Sequence, residues 1–137
     1  MKTAFVDANV ILRLFINDPP EMAEQAQKLF ARVDAGEIRL VVAEVVVAEV
    51  VWVMQSFYHY PPAAISSILQ NFLIHEGLVC ENKSRLLIAL SLFASKNIDL
   101  IDALVSVQMN QEGIAEIYSF DQHFERLPGI TRLIPGE

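Results

Sequence analysis

Short apolar runs alternate with longer amphipathic stretches along the chain, and this pattern is typical of β-strands separated by α-helices. Gly and Pro residues mark several of the boundaries between them. The predicted strands are residues 2–6, 39–42, 78–81 and 115–120, with a fifth expected at an edge within 129–135. The predicted helices are residues 21–35, 43–58, 63–75, 83–95 and 99–111. Residues 9–17 are also apolar but stay unassigned, since Asp18-Pro19-Pro20 breaks the run.

This alternation predicts the fold class. Parallel strands need crossover connections, which helices provide, so we expect an α/β protein. The expected architecture is a three-layer α/β/α sandwich with a central, mainly parallel sheet of four or five strands. The chain has 137 residues, of which 53% are hydrophobic and 20% charged. That size and composition predict a single domain over residues 1–137 with a good core.

The N-terminal residues do not resemble an export signal. They contain one lysine, an aspartate at position 7 and no small-residue cleavage site after an apolar core. Residues 40–54 are very apolar but too short to span a membrane, and they carry two glutamates. Cys80 is the only cysteine, which excludes an intrachain disulfide. We therefore expect a cytoplasmic protein without membrane contact.

The net charge limits the classes of function. The chain has 10 basic and 17 acidic residues, a formal charge of −7. This charge argues against a protein that coats nucleic acid through non-specific phosphate contacts. It remains compatible with an enzyme that meets phosphates through bound cations.

Two glutamates lie in the most apolar segment, VVAEVVVAEVVWV at residues 41–53. Burying an ionised carboxylate is costly, so one of them should have a compensating partner. Glu44 and Glu49 are five positions apart, about 140° around a helix, and therefore face different ways. Glu44 lies in the first helical turn, where the helix dipole and solvent favour its charge. Glu49 lies among valines in the helix body, either partly exposed or directed at a cation.

Aspartates follow two predicted strands directly. Asp7 comes after AFV and Asp121 after IYSF, at the sheet edge where sites form in parallel α/β proteins. Each is also compatible with a turn or a helix cap. Asp99 and Asp102 share one side of a helical turn. Asp99 is expected to be the cap, whereas Asp102 enters an apolar stretch where a functional role is favoured.

Four acids from separate segments thus stand out: Asp7, Glu49, Asp102 and Asp121. Carboxylates gathered in one pocket repel each other unless a divalent ion neutralises them. A set of hard oxygen ligands suits Mg²⁺ or Mn²⁺ rather than zinc. His59, His75 and His123 have no ligand spacing, so we expect them at the surface or in packing contacts.

Four segments carry a resemblance to a known family. FVDANVILRLF, VVVAEVVWVM, DLIDALVSV and IYSFDQHFERLPGI, in this order and spacing, resemble the PIN-domain family, and within it the VapC-type toxins of bacterial toxin–antitoxin pairs. The similarity covers essentially the whole chain. By resemblance, the four acids match the family's metal-binding quartet. Asn9 and Ser119 match polar positions near the first and last acids, which orient carboxylates or waters.

The resemblance implies a Mg²⁺- or Mn²⁺-dependent endoribonuclease. A bound ion generates the attacking hydroxide and stabilises charge at the phosphate, so no side-chain nucleophile is needed. Within the quartet, Asp7 and Asp102 are assigned as direct ligands and Glu49 as a ligand or water-orienting base. Asp121 is assigned as a second-site or outer ligand.

The resemblance also implies partners: an RNA substrate, a cognate antitoxin that blocks the cleft, and a second copy in a homodimer. Candidate RNA contacts are Arg13, Lys28 and Arg32, with Lys83, Arg85 and Arg126 as further cations. The candidate interface residues are Trp52, Phe57, Tyr58 and Tyr60, because aromatic residues are enriched at interfaces. Packing in the core is an equally good account of these four.

The sequence is also compatible with two other functions. A catalytically silent PIN-like module would bind or assemble without cutting RNA, although all four acids are present. An aspartate-based phosphohydrolase is less well supported, because residues 7–9 read Asp-Ala-Asn instead of the Asp-x-Asp pair of the haloacid-dehalogenase class.

Overall fold

The computed structural model describes all residues from 1 to 137 and contains five strands, six α-helices and one 3-10 helix. The strands are β1 (Lys2–Phe5), β2 (Ile38–Val41), β3 (Leu78–Val79), β4 (Glu116–Tyr118) and β5 (Thr131–Leu133). The helices are α1 (Ala8–Phe15), α2 (Pro20–Asp34), α3 (Glu44–Ser56), α4 (Pro62–Leu73), α5 (Lys83–Lys96) and α6 (Leu100–Glu112), and the 3-10 helix η1 spans Gln122–Arg126. Each predicted element is present, with ends within two residues of the prediction.

Helix α1 occupies the apolar stretch that the sequence pattern left unassigned. The Asp7 carboxylate caps it by accepting a hydrogen bond from the Ala8 amide at 2.7 Å. Ile11 and Leu12 are buried on its inner face. The helix ends at Phe15, and Pro20 opens α2, a favoured position for proline at a helix start. A helix of only eight residues gives too few turns for a clear periodic signal.

All strand pairs are parallel, which confirms the α/β class, but the strands form two sheets. One sheet has the order β1-β2-β3 and the other contains β4 and β5. Lys2 pairs with Ile38 and Leu40 with Leu78 in the first sheet, and Glu116 pairs with Thr131 in the second. The single sheet of four or five strands predicted from the sequence is therefore divided, because no ladder joins β1 to β4.

One face of the three-stranded sheet is packed against the core. Along β2, Ile38 and Leu40 are buried while Arg39 between them is exposed. Leu78 is buried and the adjacent Val79 exposed, and Phe5 on β1 is 75% exposed. The strands thus alternate inward and outward, as in a sheet with one solvated face.

One cluster of 30 buried residues fills the space between the sheet and the helices. The ring of Phe72 on α4 packs edge-on against Phe15 at 5.3 Å and Phe30 at 5.6 Å between centroids. On the other side of α4, the buried Ser66 hydroxyl donates to the Leu90 carbonyl of α5 at 3.0 Å. This core fixes α1, α3 and α6, the helices that carry three of the candidate acids or follow them directly.

Candidate acidic site

Helices α1 and α3 bring Asn9 and Glu49 to one pocket. Asn9 is two residues after Asp7, and its side-chain oxygen accepts hydrogen bonds from Arg13 Nε at 3.2 Å and Nη2 at 3.0 Å. Arg13 also donates to the Asp18 carbonyl and approaches the Tyr58 hydroxyl at 3.5 Å. Asn9, Arg13, Glu49 and Tyr58 line a pocket of about 350 Å³ between the two helices. The first two acidic segments therefore meet at this surface.

The two glutamates of α3 differ in their surroundings. Glu44 Oε2 pairs with Arg85 Nη2 of α5 at 3.2 Å, with side chains 29% and 17% exposed. The predicted compensating partner thus exists, and it belongs to Glu44, which was expected to rely on the helix dipole and solvent. Arg85 Nε is buried without a hydrogen-bond partner. Glu49 is exposed and makes no ion pair, so its charge is available to a ligand.

A second acidic group forms at the start of α6 and η1. Asp102 is partly buried, and this burial raises the pKa of its carboxyl above the ordinary range. The charges of Asp121 and Asp99 raise that pKa further, while His123 acts in the opposite direction. Asp121 Oδ1 accepts a hydrogen bond from the His123 amide at 2.8 Å and lies 3.3 Å from its Nδ1. Asp102 and Asp121 therefore share one electrostatic environment.

Two basic residues near this group were not among the predicted site residues. His123 is exposed, as expected, and in addition its ring lies against Asp121 and its charge lowers the pKa of Asp102. The available signal was its position two residues after Asp121. Arg132 on β5 donates to the Ser119 carbonyl at 3.0 Å, and the Ser119 hydroxyl accepts from the Asp121 amide at 2.9 Å. No spacing rule indicates Arg132, because its contact depends on how β5 pairs with β4.

The structure shows no group of three or more His, Cys, Asp or Glu side chains that could hold a metal ion as they stand. Asn9 and Glu49 line one pocket, and Asp121 lies near enough to Asp102 for its charge to raise the pKa of that carboxyl. Helices α3 and α6, which carry Glu49 and Asp102, contact each other. The convergence of all four acids on one ion stays a prediction.

The donor set nevertheless fits a hard divalent cation. Mg²⁺ in proteins is usually held by one or two carboxylates, with waters and substrate phosphates completing the shell. Asp102 and Asp121 supply two carboxylates. Burial first and repulsion from Asp121 second raise the pKa of Asp102, and a cation would offset both effects.

The three proposed RNA-contacting cations are engaged within the chain. Arg13 holds Asn9, as described above. Lys28 pairs with Glu24 at 3.3 Å, and Arg32 pairs with Glu37 at 3.2 Å. The last two pairs are solvent-exposed and therefore weak, so an RNA phosphate can compete for both cations.

The aromatic residues predicted for an interface are partly exposed. Trp52 and Phe57 are 66% and 70% exposed, while Tyr58 and Tyr60 are half-buried. Core packing therefore does not account for Trp52 and Phe57. None of the helices has the length and apolar composition that crossing a membrane requires.

Comparison with known proteins adds two findings. A family model described as PIN domain matches residues 4–130. A VapC ribonuclease of Aquifex aeolicus (strain VF5) is 26% identical over 132 residues, which covers 96% of each chain. Both matches include all four candidate acids within their span, and the second extends over nearly the whole length of both proteins.

Proposed function

Because the chain belongs to the PIN-domain family, whose model spans residues 4–130, we propose that this nuclease is a divalent-metal-dependent endoribonuclease. Its substrate is RNA, and its reaction is hydrolysis of a phosphodiester bond. The similarity to a VapC ribonuclease supports the choice of RNA and a role as the toxin of a toxin–antitoxin pair. The observation that carries the proposal is the shared environment of Asp102 and Asp121, two carboxylates with no neutralising lysine or arginine among the groups that shift the Asp102 pKa.

Asp102 and Asp121 are the residues proposed to hold Mg²⁺ or Mn²⁺. When bound, the ion lowers the pKa of a coordinated water and stabilises charge on the phosphate. Burial of Asp102 keeps its carboxylate poorly solvated, which strengthens its attraction to a cation. The Ser119 hydroxyl and the His123 amide hold the Asp121 segment, so this carboxylate is oriented before the ion arrives.

Asp7 and Glu49 are assigned to the same reaction on the family resemblance. Asp7 is exposed at the end of β1, where its carboxylate also caps α1. Glu49 is exposed and unpaired, so its carboxylate is free to act as a ligand or to orient water. Arg13 holds the Asn9 side chain, which lines the same pocket as Glu49, through two hydrogen bonds. We propose that these three polar side chains face the RNA strand.

The proposed partners are an antitoxin and a second copy of the chain in a cytoplasmic homodimer. The exposed rings of Trp52 and Phe57 on α3 and at its end support an interface there, because large aromatic side chains are costly to leave in water. The pocket that contains Asn9 and Glu49 also includes Phe57. A partner that covers Phe57 would therefore also restrict access to those two residues.

The test is cleavage of total RNA with Mg²⁺, with Mn²⁺ or with EDTA, followed by mapping of the cut sites. Wild type is compared with Asp102→Asn and Asp7→Asn, and Asp99→Asn serves as the matched control. We expect cleavage with either ion, none with EDTA, and a loss of at least about 100-fold in the first two variants. The control should cut at the wild-type rate. Equal cleavage by all four proteins would indicate a contaminating nuclease and remove the support for the proposal.

A further inference from the structure

Arg132 on β5 has a largely buried side chain. The Arg132 side chain is only 10% exposed, although its charge makes burial costly unless hydrogen bonds compensate. Its Nη1 donates to the Ser119 carbonyl at 3.0 Å. Its Nε and Nη2 donate to Glu125 Oε1 at 3.3 and 3.1 Å. The guanidinium thus joins β5, the end of β4 and η1.

Ser119 links Arg132 to Asp121 of the acidic site. Its backbone amide donates to the Leu133 carbonyl at 3.0 Å, as an extension of the β4–β5 ladder. Its hydroxyl accepts from the Asp121 amide at 2.9 Å. Ser119 is therefore held by β5 on one side and holds the backbone of Asp121 on the other. The Asp121 carboxylate is fixed in turn by the His123 amide.

We infer that Arg132 is a positioning residue for Asp121, acting through Ser119. This inference rests on the proposed function, since it assigns Asp121 to an ion. The Ser119–Asp121 segment leaves the sheet directly after β4, and Arg132 supplies the only side-chain donor to its backbone carbonyls. Without the guanidinium, the Ser119 carbonyl loses its charged donor and the turn can shift. A shift of the Asp121 carboxylate relative to Asp102 would weaken any ion that both hold.

Arg132 could instead serve only to stabilise the fold. Variants of Glu125, its other partner, distinguish this structural role from the positioning of Asp121. Glu125→Gln removes the charge of the other Arg132 partner and leaves the bond to Ser119 in place. Arg132→Lys keeps one cationic donor that can reach the Ser119 carbonyl, whereas Arg132→Met keeps the length of the side chain and removes the donor. If Arg132 only stabilised the fold, Glu125→Gln would weaken Mn²⁺ binding as strongly as Arg132→Met.

The first measurement is Mn²⁺ binding by titration calorimetry, well below the melting temperature of every variant. We expect Arg132→Met to weaken binding about 10-fold, Arg132→Lys to recover most of this loss, and Glu125→Gln to stay within about twofold of wild type. In an Asp121→Asn background, Arg132→Met should have no further effect, because residues that act through one another are not additive. Equal losses in the Arg132→Met and Glu125→Gln variants, or full additivity with Asp121→Asn, would overturn the inference.

The second measurement needs neither metal nor RNA. Hydrogen exchange of the Asp121 amide, which donates to Ser119, should accelerate about 10-fold in Arg132→Met relative to the amides of β2. Unchanged exchange would refute the inference even if the variant binds Mn²⁺ poorly. Faster exchange in a protein whose wild type binds no Mn²⁺ would instead refute the proposed function and leave the Arg132–Ser119–Asp121 contact intact. If Arg132→Met does not fold, Glu125→Gln still tests the inference, because Mn²⁺ binding much more than about twofold weaker than wild type in that variant would overturn it.

Discussion

Replacing Glu44 by alanine should destabilise the protein without touching its chemistry. The change removes the only acceptor of the Arg85 guanidinium, whose Nε already lacks a hydrogen-bond partner. The two side chains are 29% and 17% exposed, so the pair lies between a surface ion pair and a fully buried one. Surface pairs contribute 0–1 kcal/mol, and breaking a buried pair costs 3–5 kcal/mol. We therefore expect a loss of about 2 kcal/mol, or roughly 6–10 °C in Tm for a chain of this size.

A double-mutant cycle, followed by urea denaturation, measures the contribution of the Glu44–Arg85 pair to the free energy of unfolding. Glu44→Ala, Arg85→Met and the double variant are compared with wild type, and the coupling energy should be about 1–2 kcal/mol. Glu44→Gln keeps an acceptor for Arg85 and should lose about half as much. A coupling energy near zero would show that Arg85 finds water instead, and the account of this pair would then be wrong.

Glu49 should behave in the opposite way. It is exposed and unpaired, so Glu49→Ala should change the free energy of unfolding by less than about 0.5 kcal/mol. Its rate of RNA cleavage should fall at least about 10-fold if it is a ligand or orients water. Of the two glutamates on α3, Glu44 would then contribute to stability and Glu49 to activity. A Glu49→Ala variant that keeps full activity but melts early would reverse both assignments.

Three further predictions concern stability and can be checked by thermal denaturation. Ser66→Ala should cost about 1–2 kcal/mol, because the buried hydroxyl donates to a carbonyl of α5, whereas the exposed neighbour Ser67→Ala should cost almost nothing. Gly77→Ala should cost about 1–3 kcal/mol, since its Cβ would lie 2.4 Å from Cγ1 of the buried Val33. Asp102→Asn should raise Tm at pH 7 and have a smaller effect at pH 4. Burial and the neighbouring aspartates raise the pKa of Asp102 above 3.8, so the folded state binds its proton more tightly than the unfolded chain and loses stability as the pH rises through that pKa. A variant less stable than wild type at pH 7 would contradict this sign.

The order of elements could be predicted because it depends on local patterns. Apolar runs that end at Asp7 and Asp121 indicate strands, and the amphipathic spacing from Glu21 onward indicates α2. Helix α1 was missed because its eight residues are too few for a periodic signal. The class of fold and the family resemblance both follow from such local segments.

The long-range pairings could not be predicted in the same way. The partner of Glu44 is 41 residues away on another helix, and nothing in the local sequence of either residue indicates it. The separation of β1 from β4 likewise depends on edge pairing, which apolar strand patterns do not determine. The position of Asp7 relative to Asp121 depends on this pairing, so the convergence of the four acids stays a prediction. Arg132 was missed for the same reason, since its role depends on the register between β4 and β5.

Binding of Mn²⁺, followed by electron paramagnetic resonance, tests the central claim most directly, because it needs no RNA and no assumption about a target. Wild type is titrated beside Asp102→Asn, Asp121→Asn and the matched control Asp99→Asn. We expect wild type and the control to bind the ion alike, and the two other variants to bind it at least about 10-fold more weakly. Equal binding by all four proteins, or a loss confined to Asp99→Asn, would contradict a cation site built on Asp102 and Asp121.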